Sequence, residues 1–331
     1  MSQNDFVIAN ADGATYRADV NSALQALAST SLGTTAPTTK YQGQQWIDSS
    51  GSPWVLKLWD GADWIEIGEI DTAANTFRPR LARGHIAGLG LTNNAVDADH
   101  DIDIAVGEAR DATDATDMSL SSTLTKRIDA AWAVGSGAGG MDTGTVANDT
   151  VYAVWLIKRT DTGVVDALFS TSFASPTMPT SYDRKRLIGA VVTDGAANII
   201  AFTQVGDYFR FTGDVLSDVL DSTITSQAFE IAALSVPPDS IAHVYGYLEN
   251  TTGTSGSGFL VIRTNGAADD ALGYENWARV ETGSTFDVVS GIGQVLVDGS
   301  SQVQYAAIEA DGAATVRIRT LGFWMPKRSD P

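Results

Sequence analysis

The sequence contains no cysteine, which excludes disulfide bonds and thiolate-bound metal sites from the whole chain. It has only three histidines, His85, His100 and His243. So few imidazoles give little support to a Ser–His–Asp hydrolase, and a three-histidine metal site would require all of them to converge. Basic residues are also in short supply, with 21 Lys and Arg against 40 Asp and Glu and a net charge of −19. Because such a surface repels phosphate groups, we expect neither nucleic acid nor anionic lipid as a partner.

Long apolar runs are missing as well. No run approaches the roughly 18 residues that a membrane-spanning helix requires, so we expect no membrane insertion. Residues 1–5, MSQND, have neither the basic nor the apolar region of a secretory signal. We therefore expect a protein that is made in the cytoplasm and does not cross a membrane by its own signal.

What the sequence does contain favours short strands and tight turns. Of its 331 residues 44% are hydrophobic, and 32 are glycine. We predict a mainly β fold with a short N-terminal helix, a small Trp-rich β-meander and two antiparallel β-domains, the C-terminal one a sandwich or jelly roll. The expected segments are an attachment segment and linker (1–39), a Trp-rich neck (40–76), a middle β-domain (77–213) and a C-terminal β-sandwich domain (214–331).

Residues 17–28 predict a short amphipathic helix. Val20, Leu24 and Leu27 fall at positions i, i+4 and i+7, which places them on one apolar stripe. About three turns of helix with so narrow a stripe are marginal in water. We therefore expect this stripe to pack against another surface, either a sister chain or a docking partner.

The neck concentrates half of the chain's eight tryptophans, which are Trp46, Trp54, Trp59 and Trp64. A segment of this size buries too small a fraction of its surface to cover four indole rings alone. The rings are therefore expected to pack between copies of the chain in an oligomer. The alternative is an aromatic platform that binds sugars.

In the middle and C-terminal segments, most elements are expected to be strands. Val151–Lys158 pairs with the apolar run at 164–169 through the turn string DTG at 161–163. Residues 122–133 predict the one helix of this region, with Leu124, Ile128 and Trp132 on one face. Residues 214–225 are polar and are expected to link the two domains.

Four aspartates alternate along the chain at Asp97, Asp99, Asp101 and Asp103. With Glu108 they match part of a calcium-binding loop, but Ile102 occupies the sixth position, where the turn requires glycine. At period 2 the acids share one face of a strand and the isoleucines the other, so we predict a half-solvated strand and no metal. A weak calcium site remains the alternative, because four like charges attract a counter-ion.

Two further patterns concern enzymatic function. The string GSGAGG at 135–140 matches a dinucleotide-binding pattern, but it follows a predicted helix and precedes turn residues, which is the wrong context. No cofactor is therefore expected. A carboxylate pair that cleaves glycosidic bonds needs only two suitably spaced acids, and the forty acids of this chain leave that possibility open.

Several blocks of the sequence resemble tail-fibre and head-fibre proteins of tailed bacteriophages and related gene-transfer particles. The string FVIANADGATYRADVNSALQALA at 6–28 resembles the attachment segment that opens many such fibres, and residues 41–68 resemble the neck module that follows it. The strings LTNNAVD, DIDIA, LTKRIDAAWAVG and LIGA, at 91–97, 101–105, 124–135 and 187–190, resemble a domain that recurs in these fibres. The closing string GFWMPKR at 322–328 is similar to their ends.

The resemblance implies a non-enzymatic structural protein of the virion, assembled in the host cytoplasm as a homotrimer. Its N-terminus would bind other virion proteins, at the tail or at the capsid. Its C-terminal domain would contact a glycan or protein of the host surface, through loops such as residues 251–258. A capsid-mounted head fibre and a polysaccharide-degrading tail spike are the alternatives. The matching blocks contain no catalytic residue, and they do not identify a receptor.

Overall fold

The computed structural model describes residues 3–213, 216–224, 228–250, 259–267, 278–281, 288–308 and 314–325. Over these ranges the chain is mainly β, with several antiparallel sheets and one α-helix. The predicted mainly β fold is therefore confirmed. The chain divides into two compact units, Met1–Ala82 and Arg83–Pro331.

The first unit combines the helix with a small sheet. Helix α1 (Gly13–Ala28) begins four residues before the predicted start, because the Asp12 carboxylate accepts hydrogen bonds from the N–H groups of Ala14 and Thr15 and caps the first turn. The strands are β1 (Gln45–Asp48), β2 (Trp54–Trp59), β3 (Trp64–Asp71) and β4 (Thr76–Pro79). They pair antiparallel in chain order, which confirms the predicted meander.

The second unit contains the remaining strands. The first ten are β5 (Ile86–Gly88), β6 (Leu91–Asn93), β7 (Asp101–Ile104), β8 (Gly107–Arg110), β9 (Asp117–Leu120), β10 (Leu124–Ala131), β11 (Ala138–Met141), β12 (Val151–Lys158), β13 (Val165–Ser170) and β14 (Arg184–Val192). The others are β15 (Phe202–Val205), β16 (Tyr208–Phe211), β17 (Leu216–Ile224), β18 (Glu230–Ala233), β19 (Ile241–Asn250), β20 (Phe259–Thr264), β21 (Ala278–Glu281), β22 (Val288–Leu296), β23 (Gln302–Ile308) and β24 (Ala314–Trp324).

A seven-stranded sheet in the order β14-β12-β13-β11-β10-β7-β6 forms one part of this unit. The predicted hairpin is present as β12 and β13, and its turn glycine, Gly163, has a φ of 75°. The strand pairs of this sheet are antiparallel, as predicted, except at β11, which pairs in parallel with both β10 and β13. Two smaller sheets, β5-β8-β9 and β18-β23-β20-β21, lie elsewhere in the unit.

The predicted helix at 122–133 is wrong, since most of this segment is strand β10. Its buried side chains, Leu124, Lys126 and Ile128, recur every second residue, which is the period of a strand. Lys126 is fully buried because its Nζ lies 3.2 Å from Oδ1 of Asp166, which is 1% exposed. An ammonium group on the buried face interrupts the apolar alternation that would otherwise identify a strand.

The predicted linker at 214–225 is also wrong. Residues 216–224 form β17, which pairs antiparallel with β24. The polar residue here is the half-buried Asp218, whose carboxylate accepts hydrogen bonds from Ser235 Oγ at 2.6 Å and Thr320 Oγ1 at 2.5 Å. These two hydrogen bonds allow an acidic residue to lie within a strand, although the polar sequence predicted a linker.

A six-stranded sheet runs β15-β16-β24-β19-β22, with β17 beside β24. Strands from both sides of the expected boundary at 213/214 therefore belong to one sheet. One hydrophobic core runs through the second unit from Leu89 to Phe323, with side chains from this sheet and from β20 and β23. Two sheets that share a core are the sandwich arrangement expected for the C-terminal region.

Candidate functional site

The outer surface of the six-stranded sheet carries an unusual group of aromatic and cationic side chains. Along β19, Ala242, Val244, Gly246 and Leu248 are buried, while the residues between them face outward and are half-buried. Register with β16 and β24 aligns the outward residues of three strands. We call the resulting surface the aromatic face; its members are Tyr208, Arg210, His243, Tyr245, Tyr247, Glu249, Arg317, Arg319 and Trp324.

One end of the aromatic face is a cluster of three rings. Tyr208 and Trp324 are paired in register, and their rings stack at 4.1 Å between centroids. His243 lies beside both, with its Nδ1 2.6 Å from the Tyr208 hydroxyl and its ring 5.4 Å from that of Trp324. Burial, and secondarily the positive charge of Arg210, lowers the pKa of His243. The imidazole is therefore neutral at pH 7.

Gly322 brings Arg210 and His243 to the same place. In the register of the sheet it pairs with Arg210 on one side and with His243 on the other. A Cβ at Gly322 would lie 2.2 Å from the carbonyl oxygen of Phe209, so the close approach of β16 and β24 requires glycine. Because glycine has no side chain, Gly322 itself places no atoms between the side chains of Arg210 and His243.

The other end of the aromatic face repeats the combination of tyrosine and arginine. Tyr245 pairs with Arg319, and Tyr247 with Arg317, whose guanidinium lies 5.0 Å from the tyrosine ring centroid. The Tyr247 hydroxyl donates to Glu249 at 2.8 Å. Among the described side chains of this face, Glu249 is the one carboxylate. The surface thus offers aromatic rings, three guanidinium groups and a single acid.

The aspartates singled out in the sequence lie at one end of the seven-stranded sheet. Asp101 and Asp103 are half-buried on β7 while Ile102 and Ile104 are fully buried, as the alternation predicted. Asp97 and Asp99, however, lie in the turn before the strand. Burial, followed by the nearby charge of Asp97, raises the pKa of Asp101.

These aspartates have protein partners. Asp103 accepts hydrogen bonds from Asn94 Nδ2 at 2.9 Å and Thr125 Oγ1 at 2.6 Å. Asp101 Oδ1 lies 3.9 Å from Arg127 Nε. In the part of the chain that the structure describes, no three His, Asp or Glu side chains are grouped so that they could hold a metal ion. The four aspartates therefore do not converge on a cation.

The predicted apolar stripe of α1 is largely uncovered within the chain. Leu24 is 57% exposed and Leu27 is 65% exposed, while Val20 is half-buried. The one fully buried side chain of the helix is Ala26. Apolar side chains this exposed on an ordered helix indicate a surface available to a partner. No helix in the described ranges has the length and apolar character needed to span a membrane.

Three of the four neck tryptophans pack on one another. Trp46 is 5% exposed, and its ring meets that of Trp64 edge to face at 5.3 Å. Trp59 lies 5.4 Å from Trp64, and the rings of Trp54, Trp59 and Trp64 remain half-buried. The expectation that these rings need a sister chain is therefore wrong for Trp46, which the first unit buries by itself.

The aromatic face is not apparent from local sequence patterns. A signal was present in HVYGYLE at 243–249, where polar or aromatic residues alternate with apolar or small ones. That alternation marks an outward row on one strand, but it does not reveal which strands lie beside it. The loop at 251–258, proposed for recognition, lies outside the described residues.

Comparison with known proteins does not identify a family. No family model matches the chain, and no curated protein matches it. A crystal structure of a Bacillus thuringiensis Cry1Da tryptic core variant aligns over 71% of this chain and 50% of its own, with 8% identity and a TM-score of 0.20. The chain thus spans half the length of that structure, and a TM-score this low does not establish a shared fold.

Proposed function

We propose that this chain is a structural, non-enzymatic virion protein of a tailed bacteriophage, a homotrimeric tail fibre that attaches the particle to the host surface. The first unit holds the fibre to other virion proteins, and the second unit contacts a glycan or protein of the host. The proposal rests on the blocks of sequence that resemble phage fibres, together with the surfaces of the two units.

The observation that carries the proposal is the uncovered apolar stripe of α1. Leu24 and Leu27 are more than half exposed on a helix whose N-terminus is capped. A leucine side chain left in water adds nothing to stability, whereas burying it fully contributes about 1.5–3 kcal/mol. A particle protein or a sister chain that covers the stripe would recover that free energy.

The test compares two double variants in assembled particles. Leu24→Glu with Leu27→Glu places charge on the stripe, and the fibre should be lost from purified particles. Ser22→Glu with Gln25→Glu adds the same charge to exposed positions on the other side of the helix, and incorporation should continue. Equal incorporation of both variants would show that the stripe does not mediate attachment.

Two alternatives differ from the proposal in a measurable way. A capsid-mounted head fibre would share the same chemistry but appear on the head in electron micrographs of labelled particles. A depolymerising spike would release new reducing ends from host polysaccharide. The aromatic face is a poor candidate for that reaction, because its described side chains include one carboxylate, Glu249, where glycoside hydrolysis ordinarily requires two.

A further inference from the structure

The charge on the aromatic face differs in sign from that of the protein as a whole. The chain has a net charge of −19, yet this face presents Arg210, Arg317 and Arg319 against one acid. Among the described residues no carboxylate lies within ion-pair distance of Arg210 or Arg319, whereas Arg110, Arg127, Arg159 and Arg184 each form an ion pair with an aspartate. The guanidinium groups of Arg210 and Arg319 are therefore available to an anionic ligand.

The rings beside these arginines determine what kind of anion fits. Guanidinium groups bind planar carboxylates through two parallel hydrogen bonds. Aromatic rings supply flat apolar surface with polar edges, which suits the C–H faces and hydroxyl groups of a sugar. In the register of the sheet, Tyr208, Trp324 and the neutral His243 are the neighbours of Arg210 at one end of the face. A ligand that satisfies both features carries a carboxylate on a sugar ring.

We propose that the aromatic face binds an acidic glycan of the uronic-acid type, whose carboxylate is held by Arg210 and whose ring lies against the Tyr208–His243–Trp324 cluster. The inference deepens the proposed function, and rests on it only for the source of the glycan, namely the host surface. Charge complementarity favours this ligand over self-association, since symmetric pairing of the face would bring the unpaired arginines of two copies together.

The primary experiment measures binding of the purified full-length chain to oligogalacturonate by titration calorimetry. The matched ligand is the same oligosaccharide with its carboxylates methyl-esterified, which keeps the sugar rings and removes the charge. Oligogalacturonate should bind, and its affinity should fall as salt is raised. The methyl ester should bind at least about tenfold more weakly, because the charge-assisted hydrogen bonds are lost.

Two variants test the position of the site. Arg210→Gln changes an exposed side chain and should weaken oligogalacturonate binding by about tenfold or more. Gln294→Glu, on exposed β22 beside His243 in the register, should weaken it by placing a like charge next to the ligand. Arg83→Gln is the control, because the Arg83 side chain is 90% exposed outside this face. Thermal unfolding of all three should match that of the parent protein.

Three results would overturn the proposal: no binding of oligogalacturonate, equal binding of its methyl ester, or equal loss of affinity with Arg83→Gln. A change in oligomeric state with Arg210→Gln would instead identify the face as a contact between copies. Incorporation into particles is measured separately. A chain that binds the acidic glycan but is absent from particles contradicts the fibre proposal alone, and a chain present in particles that binds no glycan contradicts this inference alone.

Discussion

Removing one partner of the buried Lys126–Asp166 pair should destabilise the second unit far more than removing both. The ammonium and carboxylate lie 3.2 Å apart, with side-chain exposures of 0% and 1%. The Lys126 Nζ also donates to the carbonyl oxygens of Ala133 at 2.7 Å and Gly135 at 3.3 Å. The Asp166 carboxylate accepts the N–H of Gly135 at 2.8 Å, so the pair fixes the segment after β10.

The magnitude follows from the cost of an uncompensated buried charge. Breaking a buried pair by removing one partner typically costs about 3–5 kcal/mol, whereas replacing both by neutral groups of similar volume is often nearly neutral. Burial lowers the pKa of Lys126, and Asp166 opposes that shift. Asp166→Asn therefore leaves an ammonium that loses its proton more readily, and Lys126→Met leaves a carboxylate with backbone partners alone. A loss of about 3–5 kcal/mol from either single variant is a large fraction of the total stability of a small domain, about 5–15 kcal/mol.

The assay is a double-mutant cycle measured by denaturant unfolding of the purified chain. Lys126→Met, Asp166→Asn and the combined variant are compared with the parent, and the coupling free energy is the non-additive part. Arg159→Met with Asp161→Asn is the control cycle, because that ion pair lies on an exposed turn and should show little coupling. Additive effects in the buried cycle, or single variants as stable as the parent, would refute this account of the pair.

Two other predictions concern single side chains. Burial alone would raise the pKa of Asp111, but hydrogen bonds from Thr113, Thr116 and Ala115 outweigh the effect of burial and lower the pKa. Asp111→Asn should therefore reduce the free energy of unfolding by about 1.5–3 kcal/mol at pH 7. This difference in stability should shrink as the pH falls through the folded-state pKa of Asp111. A difference that grew on acidification would contradict this sign. Trp46→Ala should cost the first unit about 3–5 kcal/mol in thermal or denaturant unfolding, whereas Leu27→Ala, at a 65% exposed position, should change its stability little.

Local patterns in the sequence predicted the elements whose partners are close in the chain. Val151–Lys158 and its hairpin partner could be identified because one tight turn joins two apolar runs. Ile102 and Ile104 were correctly assigned to the buried side of a strand because their acidic neighbours alternate with them. In both cases a few consecutive residues contain the whole signal, so no knowledge of distant strands is needed.

The two segments whose secondary structure was wrongly predicted share a physical cause, which is a polar residue with partners far away in the chain. Lys126 hid the two-residue period of β10, and its partner Asp166 is forty positions away in the chain. Asp218 made β17 read as a polar linker, although Ser235 and Thr320 satisfy its carboxylate inside the sheet. A charged residue in a sequence normally indicates a solvent-exposed position. Only a partner far away in the chain allows it to be buried, and the local sequence does not show that partner.

The aromatic face could not be predicted for a related reason, and the reason bears on its function. Tyr208, His243 and Trp324 come from three strands that are far apart in sequence, and each occupies a single outward position. Only the register of β16, β24 and β19 brings the rings together and places Arg210 beside them across Gly322. If these side chains merely coated a solvent-facing sheet, charged residues of both signs would be expected there, as on most protein surfaces. Instead the face concentrates aromatic rings and arginines in a chain that is acidic overall. A site assembled from three separate strands, with the guanidinium of Arg210 beside stacked rings, suits the recognition of an acidic, ring-shaped ligand.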